Sequence, residues 1–279
     1  MRAAIDIGSN SVRLAKSDGI RRANITKLAD GIERTGTLSP AGVAATLDVL
    51  AAYAAETKGC AVTAFATEAV RRANDGALFV AAVKARTGLT VKVVPPETEA
   101  RLALFGASKP DGAATVCDLG GGSMEVVSAA DGVTPDYVKS LPLGVVVLKN
   151  KFAPFGADKY RAAIDAAPAL VAEYGKVADR PLVMLGGSAC NIAAGFLGLR
   201  YYDADKVNGC RMTAADLDGF LPILMSDKLS VLRPVCEKRA DTIAFGAIII
   251  QALMNHIGAD SFTVSDCDNL DAVLNGFEL

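Results

Sequence analysis

Residues 6–14 read DIGSNSVRL and residues 118–126 read DLGGGSMEV. Aligned, Asp6 falls on Asp118, Gly8 on Gly120, Ser11 on Ser123 and Arg13 on Glu125, each pair 112 positions apart. Each copy follows an apolar run suited to a buried strand, Ala3-Ala4-Ile5 and Thr115-Val116-Cys117. The small residues that follow are Gly8, Ser9, Asn10 and Ser11 in the first copy and Gly120, Gly121, Gly122 and Ser123 in the second. They suit a tight turn whose backbone N–H groups can approach an anion. A carboxylate at the entry to such a turn, Asp6 or Asp118, can hold a divalent cation beside bound phosphates. One glycine-rich turn alone is the mark of an ordinary hairpin. Two at matched spacing predict a phosphate clamp between the halves of a duplicated fold.

Composition narrows the classes. At 279 residues the chain has room for two domains with a core each. A formal charge of −2 excludes a protein that coats nucleic acid. Asp6 interrupts the start where a signal peptide needs an apolar stretch, and Ala244–Met254 is too short to cross a bilayer. The expectation is a cytoplasmic protein with neither nucleic acid nor membrane as partner. None of the six cysteines, Cys60, Cys117, Cys190, Cys210, Cys236 and Cys267, sits in a CxxC pair, so they read as reduced core residues. His256 is the only histidine, near a helix end before Gly258. Acid–base chemistry here must use carboxylates.

Along the chain, Ser39 and Pro40 predict a helix start, and Cys60–Phe65 and Val91–Val94 predict strands. Pro95-Pro96 ends the second of these and opens a helix carrying Glu99. Lys109-Pro110-Asp111-Gly112 reads as the linker. Alternating strands are expected after Asp118 until a helix at Tyr160–Tyr174. Pro181–Leu185 then leads through Gly186-Gly187-Ser188 into a helix, a junction that aims N–H groups at an anion. Helices over Thr213–Leu229 and Arg239–His256, a strand at Phe262–Ser265 and a helix over Leu270–Phe277 complete an α/β order.

These residues carry a resemblance. DIGSNSVRL at Asp6, TGTLSP at Thr35, ATEAVRRAND at Ala66 and PPETEARL at Pro95 continue with DLGGGSMEVV at Asp118, LPLGVVVL at Leu141, LGGSACNIA at Leu185 and RADTIAFGA at Arg239. Collinear over nearly the whole chain, they resemble the exopolyphosphatase/guanosine pentaphosphate phosphohydrolase (Ppx/GppA) family of the actin-like ATPase superfamily. The resemblance implies an α/β fold of two ribonuclease-H-like domains with a cleft between them. These are drawn as residues 1–110 and 111–279, the last helix packing back on the first.

It also implies attack of water on a terminal phosphoanhydride, in inorganic polyphosphate or at the 5′-γ-phosphate of guanosine pentaphosphate. Glu99, just before Ala100-Arg101, matches the catalytic glutamate, and Arg71 matches an arginine that grips phosphate. Asp118 and Glu125 match carboxylates associated with Mg2+, for which Mn2+ could substitute, and Asp6 would face them. The chain departs from the family pattern at Thr98, where a second acid is common, and at Ser265, where SDCDNLDAVL lacks the usual arginine and glycine. That second change bears on a phosphate contact or on helix packing. The absence of the further C-terminal helical domains of long members suits short chains or a nucleotide tail. Two other readings share the phosphate turns: an actin-like small-molecule kinase and a non-catalytic phosphonucleotide sensor. Oligomeric state is open, a homodimer included.

Overall fold

The computed structural model describes residues 1–107, 112–226, 239–267 and 269–279. Contacts divide the chain into two units, Met1–Leu102 with Asn269–Leu279, and Ala103–Asp268. Of the expected linker, Lys109, Pro110 and Asp111 lie outside the described residues. The division falls earlier, at Leu102, within a helix, and the end of the chain joins the first unit.

In the first unit, β1 (Arg2–Ile7), β2 (Ser11–Lys16), β3 (Arg21–Ile25), β4 (Ala61–Ala66) and β5 (Val91–Val93) form one sheet in the order β3-β2-β1-β4-β5. The β3-β2-β1 side is antiparallel, and β1, β4 and β5 run parallel. The connections carry α1 (Ile32–Thr35), α2 (Pro40–Glu56), α3 (Glu68–Arg72), α4 (Gly76–Thr87) and α5 (Pro96–Ala107). Ser39 caps α2, its hydroxyl accepting the Gly42 N–H at 3.2 Å, and Pro40 occupies the first turn.

The period of a strand decides which face each β1 residue covers. Ile5 and Ile7 pack with Leu50 and Tyr53 of α2 and with Phe79 and Val83 of α4. Ala4 turns the other way, toward Phe65, Leu102 and the closing helix Asn269–Leu274. The second part of the atypical SDCDNLDAVL stretch, NLDAVL, forms that closing helix. Leu270 is buried in it, Ala272 is fully buried, and Asp271 pairs with Arg21. Helix packing therefore survives the sequence change.

In the second unit, β6 (Ala114–Leu119), β7 (Met124–Ala129), β8 (Pro135–Leu141), β9 (Leu182–Leu185), β10 (Arg211–Thr213) and β11 (Ser261–Val264) are ordered β10-β11-β9-β6-β7-β8. Read from β8, the series β8-β7-β6-β9-β11 repeats β3-β2-β1-β4-β5 with the same strand senses, and β10 adds an antiparallel edge. Each unit is thus a ribonuclease-H-like α/β fold, and the duplication visible in the two turns extends to the whole sheets. The helices are α6 (Val145–Phe152), α7 (Lys159–Ala172), α8 (Gly187–Phe196), α9 (Ala204–Val207), α10 (Ala214–Met225) and α11 (Ile243–Ile257). α11 is apolar on nearly every side and sits in the core with Cys117, Leu119, Met184 and Ala167.

Three elements differ from expectation. Val145–Val147, β-branched and read within a run of strands, is helical in α6, because its N–H groups bond the carbonyls of the second glycine turn. β3 leaves no strand signal in the sequence because RRANI is exposed throughout and shows no apolar alternation; the backbone ladder to β2 alone places it. β10 has only three residues. Helix α10 starts after Thr213, which forms a capping box with Asp216, and Leu229 of the expected helix lies outside the described residues. Cys117 and Cys190 are buried and Cys60, Cys210 and Cys267 partly so, all as free thiols; Cys236 lies outside the described residues. Among the described residues no helix is long and apolar enough to cross a membrane.

Candidate active site

In each unit the candidate residues sit where parallel strands end. Ile7, Ala66 and Val93 are neighbours across β1, β4 and β5, so the turn after β1, helix α3 with Arg71 and helix α5 with Glu99 leave the same edge of the first sheet. In the second sheet, Asp118 lies beside Leu185, and Met184 beside Val264. The second turn, Gly186 and the residues after β11 therefore share one edge as well. Ligands of open α/β sheets bind at the carboxyl ends of such strands.

The two turns have the same internal geometry. Gly8 N–H donates to Ser11 O at 3.0 Å, and Gly120 N–H donates to Ser123 O at 3.0 Å. A Cβ at either glycine would lie 3.2 Å from that carbonyl. Their carbonyls are fastened backward. Ser9 O accepts from Ala29, and Asn10 O from Thr26 and Lys27. In the second turn Gly120 O accepts from Val145, Gly121 O from Val146 and Val147, and Gly122 O from Gly144. Gly144 must lack a side chain, since a Cβ there would fall 2.2 Å from Gly121 O. Among the described residues the N–H groups of Ser9, Asn10, Gly121 and Gly122 have no acceptor. Turns whose carbonyls are tied down and whose amides remain available form nests suited to an anion.

The charged residues at the turn mouths differ between the copies. Asp6 is opposite Arg13 on β2 and forms an ion pair with it. Asp118 is opposite Glu125 on β7 in the same register position. Glu125 is 1% exposed and accepts a hydrogen bond from Ser140 Oγ at 2.6 Å. Directly opposed residues of an antiparallel pair project from the same face. The second copy thus concentrates two hard carboxylates where the first holds a carboxylate and a guanidinium. Burial, together with the Asp118 and Glu125 carboxylates, pushes the neighbouring Cys117 thiol well up. A thiol so held is not a nucleophile.

Glu99, on α5, is buried and accepts from Arg71 Nη1 at 3.2 Å. The same nitrogen donates to Val94 O at 2.8 Å. Arg101, by contrast, is exposed. The structure therefore brings Glu99 and Arg71 together within the first unit. Asp118, Glu125, the second turn and Gly186-Gly187-Ser188 lie in the second.

At the α8 junction Gly186 has a φ of +90°, and a Cβ there would meet Leu119 O at 2.6 Å and Asp118 Oδ1 at 3.0 Å. Ser188 is fully buried at the start of α8. A Cβ on Gly187 would fall 2.2 Å from Arg239 Nη2, so the Arg239 guanidinium lies against the start of α8. Arg239 lies in RADTIAFGA, where the sequence alone assigns it no role. Its signal is the glycine at 187, which leaves room for it. Among the described residues no three His, Cys, Asp or Glu side chains cluster as a metal site. Two opposed carboxylates still fit Mg2+, which commonly uses one or two carboxylates together with water and substrate phosphates.

Fold and turns define a duplicated ribonuclease-H-like α/β protein in which both copies carry the same glycine turn. The Ppx/GppA phosphatase family matches residues 15–269, and the chain belongs to that family. Exopolyphosphatase 2 of Mycobacterium tuberculosis is 30% identical, over 97% of this chain and 96% of its own length. Exopolyphosphatase 1 of Mycobacterium leprae is 26% identical, over 93% of this chain and 84% of its own. The crystal structure of the Aquifex aeolicus member of the Ppx/GppA family superposes with a TM-score of 0.81 at 31% identity, covering 98% of this chain and 95% of that one. An exopolyphosphatase-like protein at 22% identity shares the fold with a TM-score of 0.88 over 99% of this chain and 98% of its own.

Proposed function

We propose that this protein hydrolyses the terminal phosphoanhydride of inorganic polyphosphate, and that the 5′-γ-phosphate of guanosine pentaphosphate is the other substrate its chemistry admits. The observation that carries this reading is the glycine turn of each unit, in which the Ser9 and Asn10 N–H groups and the Gly121 and Gly122 N–H groups have no acceptor among the described residues. The names of the mycobacterial relatives support polyphosphate.

The reaction forms a bond from water oxygen to the terminal phosphorus and breaks the bridging P–O bond. The leaving chain takes the bridging oxygen. Glu99 accepts a hydrogen bond from the water, orients it and takes its proton. Arg71, beside Glu99, turns its guanidinium donors to the phosphate oxygens. The nests receive the remaining oxygens and stabilise charge as it develops. Asp118 and Glu125 would hold Mg2+, or Mn2+ in its place, which supplies positive charge to the phosphate oxygens. Asp6 is engaged with Arg13, so its part in this scheme is to hold that arginine at the first turn.

The test is phosphate release from tripolyphosphate, long polyphosphate, guanosine pentaphosphate and ATP, each with magnesium and with chelator. Magnesium-dependent release from the polyphosphates supports the reading. Binding without release would favour a sensor, and ATP-dependent transfer to a small molecule would favour a kinase.

A further inference from the structure

The buried Glu68 has no part in the reaction above. The residue is 5% exposed, and both carboxylate oxygens are engaged. Arg72 Nη1 donates to Oε1 at 2.6 Å, and the Ser9 hydroxyl donates to Oε2 at 3.2 Å. Arg72 is itself held by Glu33, with bonds of 2.8 and 3.0 Å. These carboxylates push the Arg72 guanidinium further up from an already high value, so it stays charged. A chain of Glu33, Arg72, Glu68 and Ser9 thus runs from the surface of the first unit to the tip of its glycine turn.

Chemistry makes this chain consequential. A serine hydroxyl has one hydrogen to donate. Here that hydrogen goes to a carboxylate held in place by Arg72, so the hydroxyl shows any ligand at the turn only lone pairs. Phosphate oxygens accept and do not donate, so they gain nothing from that hydroxyl. The second turn has Gly121 at the position of Ser9 and offers only backbone there.

We propose that Glu68 is a positioning residue for phosphate binding: it fixes the first turn through the Ser9 hydroxyl, so that Ser9 meets phosphate by its N–H alone. Arg72 offsets the Glu68 charge, which would otherwise repel a polyanion at the turn. The inference rests on the phosphate reading given above.

A double-mutant cycle tests it, with tripolyphosphate affinity read by isothermal titration calorimetry and folding checked by thermal melting. Glu68→Gln removes the charge but keeps an acceptor within reach of Ser9, so it serves as the baseline. Relative to it, Glu68→Ala weakens binding about three- to tenfold, the worth of one hydrogen bond. Ser9→Ala weakens binding by a similar factor in the Glu68→Gln background and changes it less than twofold in the Glu68→Ala background. An equal loss from Ser9→Ala in both backgrounds would mean that the hydroxyl contacts phosphate itself, and would overturn the inference alone. Equal affinity of all variants would overturn it too. Wild-type protein that binds no tripolyphosphate would overturn the phosphate reading and this inference with it.

Discussion

Asp118 and Glu125 stand directly opposite each other on β6 and β7, in the register position where the first half of the fold pairs Asp6 with Arg13. One exchange, arginine for glutamate, turns a self-neutralised pair into a pair of like charges. Two carboxylates on one face offer a hard cation the oxygen donors it prefers. The expected consequence is metal binding confined to this pair. Asp118→Ala should abolish magnesium-dependent phosphate release and the binding of Mn2+ seen by electron paramagnetic resonance. Glu125→Arg, which copies the first half, should do the same. Retention of metal dependence in both variants would move the cation elsewhere.

Glycine positions give a prediction free of any assumption about substrate. Gly144→Ala drives a methyl into Gly121 O and separates α6 from the second turn, so it should destabilise the fold by about 1–3 kcal/mol. Gly219, within α10, has open space where a Cβ would go. Gly219→Ala should stabilise by about 0.5–1 kcal/mol through helix propensity. Urea denaturation of the two variants reads both signs. A neutral Gly144→Ala would show that the docking of α6 is not tight.

The thiols offer a pH test. Burial pushes Cys190 up to about 12 from an ordinary 9.0, and Cys117 is also well raised. The folded state therefore binds more protons than the unfolded state above pH 9. The stability these thiols contribute is fully present below that value and is lost as pH rises toward 12. Native protein at pH 8 should leave Cys117 and Cys190 unlabelled by a maleimide while Cys267, partly exposed, reacts. Labelling of Cys117 before unfolding would contradict its place in the core.

Much of the architecture was legible because repeated residues recorded a repeated fold. Asp6-x-Gly8 and Asp118-x-Gly120 announced two equivalent hairpins, and the sheets around them proved to share strand order. Ser39-Pro40 and Pro96 marked helix starts by chemistry that needs no tertiary context. Val145–Val147 did not disclose their helix, since three β-branched residues favour a strand locally. Their N–H groups are claimed by carbonyls more than twenty positions away. The site was legible residue by residue but not in its pairings. No spacing in the sequence connects Arg71 to Glu99, or Ser9 to Glu68. Those contacts arise because β1, β4 and β5 end together.

The pairing of Arg71 with Glu99 shapes the last prediction. Glu99→Gln preserves the shape of the side chain and its reach toward Arg71 but removes the charge needed to take a proton from water. Turnover should fall on the order of 10²–10⁴-fold. Polyphosphate affinity should stay within a few fold, or tighten, because a negative charge near a polyanion has been removed. Arg71→Ala should act differently. It leaves the buried Glu99 without this partner, so stability should drop by about 1–3 kcal/mol, and phosphate affinity should weaken as well. Arg71→Lys should recover part of the stability but less of the affinity, because an ammonium cannot reproduce the planar fork. Rates and affinities of the three variants, measured with tripolyphosphate, separate the roles. Normal turnover in Glu99→Gln at saturating substrate would remove Glu99 from the chemistry and leave it as the residue that holds Arg71 in place.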